Sequence, residues 1–327
     1  MIIFRNLDDI QGKLTDTVVT IGNFDGVHLG HREIFRRVRK AADDLASVSV
    51  VVTFIPHPLK LLPSTKNLRL ITPYAEKESL IAASGVDYLV IIPFTEEFAS
   101  ITAADFVRRI LVGQIGMKKL IIGYDYAFGR NREGNVALLR RLEHDLGFSV
   151  EVLEPIGKGD SVYSSTAIRE LIAQGNVGGV VTLLGRHFSF HGTVIHGHHR
   201  GKGLGFPTAN LVTGNELIPK NGVYAVKINV DGTLFDGACN IGTNPTFEDE
   251  TTSIEVFILD FNGELYGRDL RLFFIERIRD ERKFPDAVTL QEAIRNDVLT
   301  CREILEHTSI IAYHEPLEKN PGNDTKA

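Results

Sequence analysis

The chain has 327 residues, of which 43% are hydrophobic and 24% charged, and its 36 basic and 42 acidic side chains give a net charge of −6. This composition is typical of a globular protein with about two domains and excludes a fibrous body or long disorder. The acidic balance disfavours general nucleic-acid binding, which depends on basic side chains.

Two cysteines, Cys239 and Cys301, cannot form a disulfide framework, and no segment approaches the ~20 apolar residues that a membrane helix needs. We therefore expect a cytoplasmic protein that binds neither membrane nor nucleic acid. The sequence leaves open whether copies of the chain form a homo-oligomer.

The first half of the chain alternates between apolar runs and amphipathic segments. The apolar runs predict strands over 18–21, 47–54, 88–92, 119–123 and 148–153, and the segments between them predict helices over 31–45, 75–83, 103–111 and 136–146. Continuous apolar strands linked by helices are typical of buried parallel strands. The pattern therefore predicts a doubly wound, Rossmann-like α/β domain.

The pattern changes near Leu184. Residues 188–274 contain short β-rich runs, and Asp231-Gly232 and Asn262-Gly263 between such runs indicate hairpins. This half predicts an antiparallel β-barrel, followed by a terminal helix over 290–306. We place the domains at 1–184 and 185–310, and we expect residues 311–327 to form a disordered tail.

Residues 22–31 follow the first predicted strand and open the first predicted helix. Ligands bind at this edge of a doubly wound sheet, and the free N–H groups of a helix N-terminus attract phosphate. His28 and His31 share one helix face, where two imidazoles could stabilise developing charge. Glycines such as Gly22 and Gly30 let the backbone approach a ligand closely. The alternative is a tight turn with two surface histidines.

Ser165, Thr166 and Arg169 open another predicted helix. Together they would form a clamp for a polyphosphate, although a hydroxyl at a helix start is usually only a cap. Asp125 and Phe128 lie in an aromatic loop that ends a predicted strand at the same edge of the sheet. Aromatic residues between glycines either anchor a loop or stack on a ligand ring, and the sequence leaves both open.

In the second domain, a glycine-rich loop that includes Gly205 leads into an extended segment containing Thr208 and Asn210. Their side chains face the same way, and hydroxyl and amide oxygens suit Mg²⁺. A plain turn with polar ends explains them equally well. Glu255, inside an apolar run, is either a placed carboxylate or a solvent-facing residue of an alternating strand.

In combination these motifs resemble the prokaryotic bifunctional riboflavin kinase/FMN adenylyltransferase (FAD synthetase) family over roughly residues 1–307. Residues 28–31 carry the His-x-Gly-His signature of nucleotidyltransferases, and residues 205–210 resemble the Gly-Phe-Pro-Thr-Ala-Asn motif of the kinase. Residues 240–247, Glu255 and residues 279–284 follow in the order of the family.

The resemblance implies two reactions. The C-terminal domain, a riboflavin-kinase barrel, would phosphorylate riboflavin with ATP to give FMN. The N-terminal nucleotidyltransferase domain would transfer AMP from a second ATP to FMN, giving FAD and pyrophosphate. The implied cofactor is Mg²⁺, and the implied partners are riboflavin, FMN and ATP. The competing hypotheses are an adenylyltransferase for another acceptor and a non-enzymatic flavin or nucleotide sensor.

The resemblance also implies roles for individual residues. His28 and His31 would stabilise the transition state of adenylyl transfer, and Glu255 would be the general base of the kinase. Thr208 and Asn210 would hold the metal. The residues expected to bind ATP or its phosphates are Gly22, Asn23, Asp25, Gly30, Ser165, Thr166, Arg169, Gly205, Thr208 and Asn210. Those expected to bind the flavin are Asp125, Phe128, Arg279 and Arg282.

Overall fold

The computed structural model describes residues 1–10, 12–61, 65, 67–158, 161–196, 205–245 and 250–313. It divides into two compact units. Met1–Ser164 and, among the described residues, Tyr313 form the first unit, and residues 165–312 form the second. Residues 314–327 of the expected disordered tail lie outside the described residues.

The first unit is built on a six-stranded parallel sheet with helices between its strands, which confirms the predicted α/β fold. The strands are β1 (Ile2–Phe4), β2 (Thr17–Ile21), β3 (Val48–Ile55), β4 (Tyr88–Pro93), β5 (Met117–Gly123) and β6 (Ser149–Leu153), and a small hairpin follows as β7 (Gly157–Lys158) and β8 (Ser161–Val162). The helices are α1 (Leu29–Asp44), α2 (Tyr74–Ala83), α3 (Glu96–Ala99), α4 (Ala103–Asp105) and α5 (Val136–Leu146). The helix predicted over 103–111 differs, because after α4 it widens into the π-helical segment Phe106–Val112.

The strands of this sheet lie in the order β1-β4-β3-β2-β5-β6. From β2 the chain proceeds outward to β3 and β4 on one side, and it then returns to place β5 and β6 on the other side. The strand order therefore reverses between β2 and β5, and ligands of doubly wound sheets bind at this point, outside the carboxyl ends of the strands. The turn after β2 and the loop after β5 both begin there.

One apolar cluster of the first unit lies beside the start of α1. Phe24, Val27 and Phe35 are buried in it, and Tyr313 belongs to the same cluster although it lies far along the chain. The guanidinium carbon of Arg32 lies 3.8 Å from the centroid of the Tyr313 ring. Tyr313 therefore completes the packing around the start of α1.

The second unit contains a closed barrel, which confirms the prediction for this half of the chain. Its strands are antiparallel and have the order β10-β13-β12-β11-β14-β9. Their bounds are β9 (Ser189–Ile195), β10 (Ala209–Val212), β11 (Gly222–Val230), β12 (Thr233–Pro245), β13 (Glu250–Ile258) and β14 (Asp269–Arg279). Asp231 and Gly232, both with positive φ, join β11 to β12 as the predicted two-residue hairpin turn.

In the described part of the second unit, three helices accompany the barrel: α6 (Ser165–Gln174), α7 (Val177–Leu184) and α8 (Ala287–Glu306). Cys301 and Leu305 of α8 pack against Ala225 and Ile275 of the barrel wall. Because α6 and α7 belong to the second compact unit, that unit begins at Ser165, whereas the sequence pattern changes near Leu184. No helix in the described part of the chain is long and apolar enough to span a membrane.

Candidate active sites in the two units

The turn between β2 and α1 brings two imidazole rings face to face. The rings of His28 and His31 stack with centroids 3.5 Å apart and planes inclined by 21°. His28 is the N-cap of α1, and its Nδ1 accepts a hydrogen bond of 3.3 Å from the backbone N–H of His31. Gly30 permits this packing, because a Cβ at that position would lie 3.1 Å from the His28 ring.

The surroundings of His31 disfavour its charged form. Burial lowers the pKa of His31 well below its usual range, and the nearby charges of His28 and Lys77 lower it further. The Nδ1 atom of His31 is buried and has no hydrogen-bond partner in the described part of the chain. His31 is therefore neutral at pH 7 and keeps hydrogen-bonding capacity for a ligand.

The same turn has a backbone conformation that residues other than glycine rarely adopt. Phe24 and Val27 have φ values of 51° and 40°, which cost energy for residues other than glycine. The buried Asp25 carboxylate accepts hydrogen bonds from the backbone N–H groups of Ile71 at 3.1 Å and Thr72 at 3.2 Å. The Asp25 carboxylate therefore ties the turn to the segment before α2, and its contact with ATP stays a prediction.

Sequence reasoning missed Lys77 of α2. Its ammonium group donates hydrogen bonds to the carbonyl oxygen of Asn23 at 3.2 Å and to Oγ1 of Thr53 at 3.0 Å. Burial lowers the pKa of Lys77 to about 8, against the opposing effect of nearby carboxylates. The one signal in the sequence is spacing, because Lys77 shares the buried face of α2 with Leu80 and Ile81.

The loop after β5 separates two predicted flavin-binding residues. Asp125 is exposed at the end of the strand. Phe128 is buried in the core, with its ring centroid 5.3 Å from that of Tyr126 and 5.9 Å from that of Phe106. Of the two roles that the sequence left open for these aromatics, the packing of Phe128 is that of a loop anchor.

Ser165, Thr166 and Arg169 lie in the first turns of α6, so the predicted helix start is confirmed. Thr166 is exposed, and Ser165 and Arg169 are half-buried. They belong to the second compact unit, whereas the histidine turn belongs to the first. Their role as a phosphate clamp stays a prediction.

The second unit places a polar row on its barrel. Glu255 of β13 is the register partner of Asn210 on β10 and of Asn240 on β12. Register partners project to the same face, so these side chains form one row across three strands. The neighbouring pair, Val256 and Cys239, is fully buried and faces the interior of the barrel. Glu255 therefore lies on the outer wall, where it is half-buried.

The predicted kinase loop is described only from Gly205 onward, because residues 201–204 lie outside the described residues, as do residues 246 and 247 of the motif over 240–247. Gly205 has a φ of 82°, which favours glycine. Thr208 immediately precedes β10, and Asn210 lies within that strand. In the described ranges, no three His, Cys, Asp and Glu side chains converge to hold a metal ion.

Of the other two predicted flavin-binding residues, Arg279 is engaged within the protein. Its Nε and Nη2 donate to the carboxylate of Asp297 on α8, the shortest of these bonds being 2.7 Å. The guanidinium carbons of Arg279 and Arg282 lie 5.6 Å and 4.8 Å from the ring centroid of Phe284. Arg282 is exposed, so it is the more accessible of the two arginines.

Two family models match the chain. The model of FAD synthetase matches residues 10–167, and the model of riboflavin kinase matches residues 184–305. The first match contains the histidine turn and Lys77, and the second contains the row of Asn210, Glu255 and Asn240.

Curated bacterial proteins match over most of their length. The bifunctional riboflavin kinase/FMN adenylyltransferase of Escherichia coli K12 is 36% identical over 305 residues, which cover 93% of this chain and 97% of that protein. The protein of the same name from Bacillus subtilis 168 is 36% identical over 295 residues, which cover 88% and 92%. A Streptococcus pneumoniae crystal structure described as a macrolide-efflux protein superposes with a TM-score of 0.83 at 34% identity, covering 92% of this chain and 98% of that one.

Proposed function

The chain belongs to the bifunctional riboflavin kinase/FMN adenylyltransferase family, and from this membership we propose that it phosphorylates riboflavin to FMN and then adenylylates FMN to FAD. Adenylylation is assigned to the N-terminal domain, 1–184, and phosphorylation to the C-terminal domain, 185–310. The macrolide-efflux description of the structural relative does not enter the proposal, because both matching family models name flavin enzymes.

In the kinase reaction, the riboflavin 5′-hydroxyl attacks the γ-phosphorus of ATP, and ADP leaves. A hydroxyl is a weak nucleophile, so removal of its proton by a carboxylate assists the step. Glu255 is the proposed base, and its half-buried place between Asn210 and Asn240 supports this role by fixing the carboxylate on a rigid ladder. Two of the proposed flavin-binding residues are exposed: Arg282 in the C-terminal domain and Asp125 in the N-terminal domain.

Mg²⁺ fits the oxygen donors near this row. The amide oxygen of Asn210 lies on the same barrel face as Glu255, and the Thr208 hydroxyl immediately precedes that strand. Mg²⁺ is commonly held by few protein oxygens together with substrate phosphates, so a converging cluster of acidic side chains is not required. Bound there, the ion would neutralise charge on the ATP phosphates.

In the adenylylation reaction, a phosphate oxygen of FMN attacks the α-phosphorus of ATP, and pyrophosphate leaves. The FMN phosphate is already ionised, so this step needs positioning and charge stabilisation rather than a base. The start of α1 offers backbone N–H groups and the imidazoles of His28 and His31 to the phosphates. Ser165, Thr166 and Arg169 are the proposed holders of the departing phosphates.

The observation that carries the proposal is the paired match of both enzyme families along one chain. Incubation of the purified protein with riboflavin, ATP and Mg²⁺, followed by chromatography over time, should give FMN first and then FAD. Adenylylation of supplied FMN without phosphorylation of riboflavin would favour a lone adenylyltransferase, and binding without turnover would favour a sensor. Since both reactions consume ATP, the proposal includes a cytoplasmic location.

A further inference from the structure

A lysine lies beneath the histidine turn, where packing alone does not require one. The Lys77 side chain is 3% exposed, although lysines usually extend their ammonium group into water. A methionine would fill a similar volume without the cost of burying a charge. The position therefore calls for an explanation in terms of the groups that the ammonium contacts.

Those contacts converge on one carbonyl oxygen. The ammonium group of Lys77 and Oγ1 of Thr53 both donate to the carbonyl oxygen of Asn23, each at 3.2 Å, and Lys77 also donates to Thr53 at 3.0 Å. This carbonyl belongs to the residue before Phe24, whose φ is 51°. The lysine thus holds the backbone where the turn enters its strained conformation.

On the other side of Phe24, the turn is held by a negatively charged group, the carboxylate of Asp25. The carboxylate of Asp25 accepts its hydrogen bonds from Ile71 and Thr72, shortly before α2. The segment 71–77 therefore binds the turn at two points: its backbone N–H groups donate to the Asp25 carboxylate, and its lysine ammonium donates to the Asn23 carbonyl oxygen. Asp25 and Glu78 are the carboxylates whose charge favours the protonated form of Lys77.

The ammonium also acts on His31 through its charge. His28 on the same turn and Lys77 on α2 both disfavour a proton on His31, and burial acts in the same direction. The Phe24 ring lies perpendicular to the His31 ring with centroids 5.2 Å apart, and Phe24 carries no charge. Arg32, the next residue of α1, places its guanidinium over Tyr313.

We propose that Lys77 is a positioning residue of the adenylyl-transfer site: its buried ammonium fixes the backbone of the turn at Asn23 and places a positive charge close enough to act on the His31 imidazole. The inference rests on the proposed function, because it names a residue for that reaction. It makes two separable claims, one about the position of the turn and one about the charge next to His31.

Two variants of the full-length protein separate these claims. Lys77→Met removes both the hydrogen bonds and the charge. We expect the kcat of FAD formation from FMN to fall by about 10–100-fold, because small displacements of reacting groups slow catalysis by such factors. The KM for ATP should change less. Thr53→Val removes one link to the lysine and keeps the charge, so its kcat should fall less.

The decisive readout is the titration of His31, followed by NMR of protein labelled at the histidine Cε1 carbon and assigned with His31→Gln. In Lys77→Met the pKa of His31 should rise, because a neighbouring positive charge is gone. In Thr53→Val it should stay unchanged. A lysine whose charge does not act on His31 would leave the pKa of His31 unchanged, whatever happened to the rate.

Lys40→Met is the matched control, because Lys40 lies on the exposed face of α1 and pairs only with the exposed Asp44 in the described contacts. It should change neither the rate of FAD formation nor the titration of His31.

A loss of less than threefold in the kcat of Lys77→Met, together with an unshifted pKa of His31, would overturn the proposal. If Lys77→Met does not fold, an unchanged FAD-forming rate in Thr53→Val overturns the positional claim. A wild-type protein that makes no FAD would refute the proposed function, and the His31 titration would still decide the placement of Lys77.

Discussion

Asn210 lies directly opposite Glu255 in the ladder between β10 and β13. Opposed side chains on neighbouring antiparallel strands have Cβ atoms roughly 4.5–5.5 Å apart, so the amide and the carboxylate are neighbours by construction of the sheet. The strands belong to a closed barrel, which resists slippage of their register. The proposed metal ligand and the proposed base of the kinase are therefore held together by backbone hydrogen bonds rather than by a mobile loop.

Substitution of Glu255 tests the proposed base. Glu255→Gln keeps the size of the side chain and removes its basicity, so the kcat of riboflavin phosphorylation should fall by about 10²–10⁴. FAD formation from supplied FMN should persist. The assay is chromatography of FMN and FAD, with Glu276→Gln, an exposed glutamate of β14, as the control. A kcat loss below about threefold in a folded variant would contradict the assignment.

Substitution of the stacked histidines should have the opposite effect, with loss of FAD formation and retention of riboflavin phosphorylation. His28→Ala or His31→Ala removes a hydrogen-bonding group from the start of α1, and FAD formation should fall by about 10²–10³. Riboflavin phosphorylation should be spared. His144→Ala is the control, because that side chain of α5 is 98% exposed. Near-normal FAD synthesis in both variants would show that this turn does not carry the chemistry.

Gly30 provides a finer test of the same geometry. In Gly30→Ala the new Cβ would lie 3.1 Å from the His28 ring and 3.3 Å from the Cβ of Tyr163, so the ring must move by a few tenths of an ångström. We expect the kcat of FAD formation to fall about tenfold, since catalysis depends steeply on position. Gly214→Ala, where no atom lies within 4 Å of the new Cβ, is the comparison. Equal activity of the two variants would mean that the stacking is not needed.

The pair of Arg279 and Asp297 predicts a difference in stability. Their side chains are 21% and 10% exposed, and breaking a buried pair costs several kcal/mol, so Asp297→Asn should cost about 2–3 kcal/mol. The urea concentration that halves riboflavin phosphorylation should fall by about 1 M. Asp260→Asn, which loses an exposed pair with Arg302, should cause no measurable change. Equal midpoints would show that the buried pair does not anchor α8.

Much of the fold is predictable because burial leaves a clear trace in sequence. The strand β2 is covered on both faces, so every one of its residues is buried, and all five are β-branched, as is typical of a strand. The helix α1 follows because its apolar residues recur at helical spacing. The turn between them could then be placed at the ligand-binding edge from topology alone, as could the hairpin at Asp231 and Gly232.

Other parts of the candidate sites depend on long-range packing that a local pattern does not contain. Asn240 joins Glu255 only because β12 and β13 pair in one particular register. A lysine on a helix ordinarily faces water, and Lys77 of α2 is buried because the turn containing Asn23 packs against it. From the sequence, Phe128 could equally have stacked on a ligand, and its packing against Phe106 and Tyr126 shows that the ring lies in the core.

The place of Tyr313 has a consequence for how the protein is made. The first unit includes residues 1–164 and also Tyr313, which packs into one of its apolar clusters. Tyr313 is synthesised only after residues 165–312. At about 5–20 residues per second, the ribosome needs roughly 7–30 s to synthesise that stretch. During this interval the nascent first unit lacks the ring that packs over Arg32. The unit that is translated second can therefore be the first to be complete.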